Sequence, residues 1–268
     1  MHLVALTAAA ILSLPQPVPE PVSTPAALTA RADADTSERV VLTTDDKLSL
    51  VGSWWAPKGK QAVPGALLVH DAGGQRQDLA EYGERLKKMG FAVLSIDLRG
   101  HGESASDDLD WSSMDADARS RAWAFATRDL KAGAEFLRSQ KLVHSASLVV
   151  VGYGSGCTLA ARHAVRDENI RAVALLAPPT EERDMYGFQL AKDIDDLGGL
   201  PTYVSVTREG RDAIQAMADE GKKANGGIDF ITISVTKGAP IDILGDTREA
   251  SELGRWLKER AFPSKGSR

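Results

Sequence analysis

The chain has 268 residues, of which 43% are hydrophobic and 26% charged, with a formal net charge of −5. Those are the proportions of an ordinary soluble globular protein, enough for one large domain or two small ones. No Lys/Arg-rich run stands out, so nothing supports nucleic-acid binding. Cys157 is the only cysteine, so no intramolecular disulfide can form.

Residues 1–14, MHLVALTAAAILSL, are apolar and small but too short to span a bilayer. A Pro-rich stretch, Pro15 to Pro25, follows, and residues 15–38 read as a disordered Pro/Ala-rich linker. The pair resembles a secretory signal and the start of a mature chain, which makes export, to the periplasm or outside, the expectation. No later segment is long and apolar enough for a membrane span. Residues 263–268 read as a disordered tail.

Along the body of the chain, Arg39–Thr43 and Leu48–Ala56 predict a hairpin around the polar turn Thr44 to Lys47. Gly65–His70 is a short apolar run ending at Asp71-Ala72-Gly73-Gly74, a buried strand entering a Gly loop. The spacing of Leu79, Tyr82 and Leu86 predicts a helix over Asp78–Met89, closed by Gly90. Phe91–Ile96 predicts a strand that ends at Asp97-Leu98-Arg99-Gly100-His101-Gly102-Glu103-Ser104. Asp107–Asp117, with Trp111 inside it, reads as a polar excursion over the sheet. Trp123, Ala126, Leu130, Ala134 and Leu137 predict one helix over Arg121–Leu137.

The stretch Leu148 to Ala161, LVVVGYGSGCTLAA, reads as strand, sharp turn and helix. Ile170–Leu176 is another strand, and Met185–Asp195 a short helix where a lid would sit. Pro201–Val206 and Ile228–Val235 read as strands, Ala213–Lys223 and Thr247–Arg260 as helices. Strands alternating with helices predict an α/β fold, a mostly parallel sheet covered on both faces. The site then lies beyond the carboxyl ends of the strands, where His70, Asp71, Asp97, His101, Tyr153, Gly154 and Ser155 fall.

Four motifs in order resemble the α/β-hydrolase superfamily, in its dienelactone-hydrolase and serine-aminopeptidase-like branches. LLVHDAGG (Leu67–Gly74) resembles the oxyanion loop, usually His-Gly-x-Gly-Gly, and DLRGHGES (Asp97–Ser104) the D-x-R-G-x-G-x-S turn. RDLKAGAEFL (Arg128–Leu137) is similar to the helix before the nucleophile elbow, and VVVGYGSGC to the elbow itself. The likeness runs from Arg39 to Phe262 and implies a single α/β-hydrolase domain over residues 39–262. A competing reading of V-G-Y-G-S-G-C as a dinucleotide fingerprint fails because Cys157 stands where a third Gly or Ala belongs and no acid ends the next strand. No cofactor is implied, and no residues have zinc-site spacing.

The resemblance implies a Ser-His-acid triad, and each slot can be read. In the elbow register Gly152-Tyr153-Gly154-Ser155-Gly156, Gly154 stands at the nucleophile position. The histidine slot falls on Ala239 or Pro240, and the five histidines, His2, His70, His101, His144 and His163, all precede it. The acid slot falls on Gly210, with Glu209 and Asp212 as near misses. Asp71 replaces the usual Gly of the oxyanion loop, where a carboxylate would repel a developing oxyanion.

Two functions follow as expectations. The first is a degenerate hydrolase without a triad, holding a small apolar or acyl-type ligand, or a protein, in the inherited cleft formed by Asp71, Gly73, Gly74, Tyr153 and Ser155. The second is an unusual esterase, thioesterase or peptidase-like hydrolase that uses Ser155 with His70 or His101 as base. Cys157 reads as a buried, inert thiol. The oligomeric state is left open.

Overall fold

The computed structural model describes residues 36–236, 244 and 248–262. Its centre is an eight-stranded sheet: β1 (Glu38–Thr43), β2 (Ser49–Trp55), β3 (Val63–Val69), β4 (Ala92–Ile96), β5 (Val143–Tyr153), β6 (Ile170–Leu176), β7 (Thr202–Val206) and β8 (Ile231–Val235). The spatial order is β1-β2-β4-β3-β5-β6-β7-β8. The β1–β2 and β2–β4 pairs are antiparallel and every later pair is parallel.

Central strands buried on both faces need no polar alternation, which is why β3 to β6 read as continuous apolar runs. The strand period of two still shows in β2, where Trp54 packs into the core on one face and Trp55 into the core on the other. Helices α1 (Ala80–Lys88) and α7 (Arg248–Ala261) cover the Trp55 face through Tyr82, Leu86, Leu253 and Leu257. The opposite face carries α2 (Ala116–Phe125), α3 (Thr127–Ser139), α4 (Gly156–Arg166), α5 (Leu190–Asp196) and α6 (Arg211–Ala224).

Two expected helices differ from the structure. The single helix expected over Arg121–Leu137 starts earlier and bends at Ala126 into α2 and α3. Asp115 caps α2, its Oδ1 accepting the Ala118 N–H at 2.7 Å. Trp123 anchors α2 in an aromatic cluster, whereas the buried Asp129 anchors the first turn of α3 to Arg99. The bend lets each half meet its own anchor. The lid helix expected from Met185 starts at Leu190 instead. Asp184 Oδ1 accepts the N–H groups of Tyr186 (2.9 Å) and Phe188 (2.8 Å), a local turn that competes with helix.

Chain order fixes where the site must be. From β3 the chain crosses through α1 to β4 on one side; β5 lies on the other side of β3. That reversal of direction opens a crevice at the carboxyl ends of β3 and β5. The turn after β4 is held by buried ion pairs. Asp97 accepts the N–H groups of Arg76 (2.8 Å) and Glu103 (2.9 Å) and pairs with the Arg76 guanidinium. Arg99 spans from Asp129 (2.6 Å) to Asp46 (3.0 Å).

Removing one member of a buried pair strands the other without compensation. Arg99→Leu should therefore destabilise the fold by about 3–5 kcal/mol, measured by urea denaturation. Arg99→Leu combined with Asp129→Leu should cost less than Arg99→Leu alone, because no buried charge is left unpaired.

Candidate active site

The elbow forms because β5 and α4 meet at a closer distance than side chains allow. A Cβ on Gly156 would lie 2.4 Å from the His70 carbonyl oxygen, and one on Gly152 2.7 Å from the Gly156 carbonyl oxygen. Between them Gly154 takes φ +57°, the left-handed conformation of a sharp strand-to-helix turn. Ser155 is the N-cap residue of α4, its carbonyl accepting the Thr158 hydroxyl at 2.8 Å. Among the described residues nothing hydrogen-bonds the Ser155 hydroxyl.

Asp71 follows β3 and reaches across to this turn. Its Oδ1 accepts the backbone N–H of Ser155 at 2.7 Å and that of Ala72 at 2.8 Å. A Cβ built on Gly154 would lie 2.3 Å from the Asp71 carboxyl carbon. The carboxylate thus occupies the space that a side chain at position 154 would need, above the N-terminus of α4. In an acyl-transfer site two such amides would receive the developing oxyanion.

The two histidines that sequence reasoning placed near the site are there, 5.0 Å apart between ring centroids, and both are buried. His70 Nε2 accepts the Leu98 N–H at 3.0 Å, and its Nδ1 lies 2.6 Å from the Asp71 carbonyl oxygen. His101 Nε2 accepts the Gly73 N–H at 3.0 Å, and its Nδ1 donates to the Arg99 carbonyl at 3.0 Å. A ring nitrogen that accepts from an amide carries no proton, so both rings are neutral with the proton on Nδ1. Burial pushes the His70 pKa down to about 3, with the neighbouring His101 adding to the effect. Burial also lowers His101. Gly74 closes the loop by donating its N–H to the Asp71 carbonyl at 3.0 Å.

An aromatic cluster walls the crevice. His101 stacks on Trp111 with centroids 4.4 Å apart, and Tyr186 contacts Trp111 at 5.5 Å and Trp123 at 5.2 Å. The sequence alone places Trp111 in a loop and Trp123 on a helix face. The signal was their chain position, one in the excursion after β4 and one on the following helix. Tyr153 is half-buried beside the second core. Cys157 is buried, its thiol donating to the carbonyls of Gly152 and Leu176, both at 3.3 Å, and burial pushes its pKa up.

Of the other triad slots, Gly210 is the residue before α6, where a Cβ would collide with Val206 at 2.6 Å. Glu209 beside it is exposed, its carboxyl lowered chiefly by its own backbone amide and by Thr207. Ala239 and Pro240 lie outside the described residues. Among the described residues no group of three His, Cys, Asp or Glu could hold a metal ion, and no helix is long and apolar enough to cross a membrane. A cavity of about 620 Å³ opens elsewhere, between α3 and the end of α4, and is lined by Arg128, Arg138, His163 and Asp167 among others.

Sheet order, elbow and oxyanion loop define an α/β-hydrolase. The chain belongs to the serine aminopeptidase S33 family, whose model matches residues 63–200. A search of curated proteins finds no match. Solved structures agree on the fold. An esterase of Pyrococcus furiosus superposes with a TM-score of 0.66 at 19% identity, over 92% of this chain and 97% of its own. A cold-adapted esterase from an Arctic intertidal metagenomic library gives 0.58 at 17%, over 83% and 92%. Est1E of Butyrivibrio proteoclasticus, solved with ferulic acid, gives 0.60 at 13%, over 82% and 96%.

The buried neutral histidines set a pH dependence. His163, packed in α4, is lowered by burial to about 4, so it joins His70 and His101. On unfolding each regains its ordinary value of 6.5. Below that pH the unfolded chain binds more protons than the native one, so stability falls as pH falls. Urea midpoints should be flat above pH about 7 and drop steadily towards pH about 4. A profile without that drop would mean that these rings protonate inside the fold.

Proposed function

We propose that this chain is a catalytically silent α/β-hydrolase whose cleft serves binding rather than acyl transfer. One observation carries the reading: the Asp71 carboxylate fills the space of the nucleophile side chain and takes both amides of the oxyanion hole. Glycine at position 154 has no oxygen with which to attack a carbonyl. A substrate carbonyl that approached the two amides would meet a carboxylate already hydrogen-bonded there, and charge developing on its oxygen would be repelled.

The alternative hydrolase, built on Ser155, gains no support from the histidines. Each ring has both nitrogens engaged by backbone groups, and none is hydrogen-bonded to the Ser155 hydroxyl. A general base must be within hydrogen-bond reach of the proton it takes. His70 and His101 act in this reading as braces that hold the oxyanion loop against the Asp97–Ser104 turn. The likeness to esterases is a likeness of fold, and the same fold carries many functions. Export of the chain remains part of the proposal, resting on the apolar start and the Pro-rich stretch after it.

The first test is labelling with a fluorophosphonate probe, with an active family member as control and Ser155→Ala alongside. No labelling is expected. Labelling lost in Ser155→Ala would overturn the silent reading.

A second test addresses the geometry. Gly154→Ser should be destabilising, because its Cβ overlaps Asp71, and Asp71→Gly should relieve much of that cost. The double-mutant cycle in urea should give a coupling of about 1–3 kcal/mol. Additive effects would mean that the carboxylate does not occupy that space.

A further inference from the structure

The occupied elbow has one oxygen to spare. Asp71 Oδ1 is satisfied twice, by Ser155 and Ala72, whereas Oδ2 has no hydrogen-bond donor among the described residues. Nor does a lysine or arginine among them pair with Asp71. The charged or titratable groups on which its field bears are Asp78, Cys157 and Tyr186, none of them a cation. The carboxylate is half-buried, a setting in which a charge ordinarily has a counter-charge.

The surroundings match one ligand class. Tyr186 is half-buried, and the charges of both Asp71 and Asp184 bear on its phenol. Behind it stand Trp111 and Trp123, aromatic faces that attract cations through their quadrupoles. Arg119, whose charge also bears on the Tyr186 phenol, is already seated over the Trp111 ring at 5.7 Å and hydrogen-bonded to the Trp111 carbonyl. Gly73, at the rim, is exposed, so the crevice is open at that side. Both amides bind Oδ1 and leave Oδ2 uncovered among the described residues.

We infer that the crevice over the elbow is a receptor for a primary alkylammonium group, held by Asp71 Oδ2 against the Tyr186 ring. This rests on the silent-site reading, since it needs Asp71 charged and seated on the elbow. It inverts the polarity of the inherited site: two amides that would receive partial negative charge now support a carboxylate that receives positive charge. An alkyl tail on the ammonium would lie along the aromatic wall.

The test is calorimetric titration of the full chain with n-butylammonium chloride, with sodium butyrate and n-butanol as shape-matched controls. Saturable binding of the ammonium alone is expected. Asp71→Asn keeps an acceptor for the two amides and loses the charge, and should bind at least about tenfold more weakly. Tyr186→Leu, which leaves the elbow untouched, should bind about threefold more weakly or worse. No saturable binding of butylammonium, binding unchanged in both variants, or equal binding of butyrate would overturn the inference. Absence of ammonium binding in a protein that also resists fluorophosphonate removes the ligand class and leaves the silent elbow standing. Labelling at Ser155 removes the silent elbow itself.

Discussion

The start of α4 runs so close beneath the end of β3 that no side chain fits between them. At 2.4 Å from the Gly156 Cβ position, the His70 carbonyl leaves room for hydrogen alone. Three consequences follow from that approach. The strand β5 must turn sharply, which puts Gly154 in the left-handed region. The N–H of Ser155 must point up into the crevice rather than into a helix. The residue after His70 must pass directly over that N–H. In a chain with glycine at position 71 the crevice would be empty at this point; with aspartate it is filled from within.

In the silent-site reading proposed above, Asp71 matters more to the chemistry of the site than the glycine at position 154 does. A missing nucleophile leaves a binding pocket with its electrostatics intact. A carboxylate fixed on both amides reverses those electrostatics, because the strongest donors of the site are spent on an internal acceptor. The histidines fit the same account. His70 Nε2 ties the loop to the Leu98 amide, and His101 Nε2, from the turn after β4, accepts the Gly73 amide, so the loop that delivers Asp71 is stiffened from below. Burial keeps both rings neutral, which preserves Nε2 as an acceptor and hence the brace itself.

The frame was legible in the sequence because it depends on patterns of local origin. Buried parallel strands show as apolar runs, and β6 was bounded at both ends by Ile170 and Leu176. The glycines of the elbow announce a close approach wherever they occur at that spacing. Helix boundaries were less legible where a side chain far away in sequence decides them, as Arg99 does for α3 through Asp129. The site was legible in its residues and not in its contacts. Position 71 was recognised as carrying a carboxylate hostile to an oxyanion, but nothing local says that its side chain crosses to Ser155, 84 residues along. The aromatic wall was hidden for the same reason: Trp111, Trp123 and Tyr186 lie on three separate segments that only the folded chain brings together.

Stability and site chemistry are carried by different parts of this fold, so one can vary without the other. The Asp97–Arg76 and Arg99–Asp129 pairs are buried beneath the crevice and hold the turn after β4 whatever side chain stands on the elbow. The two hydrophobic cores lie on the sheet faces, not at the strand ends. A superposition score reads those strands and cores, so a TM-score of 0.66 against an esterase is compatible with a site of opposite polarity. The elbow differs in another respect: its left-handed turn and close approaches are present although Gly154 has no oxygen to attack with. Keeping that geometry is physically reasonable, since the Ser155 amide that the elbow exposes is one of the two donors among the described residues that hold the Asp71 carboxylate in place.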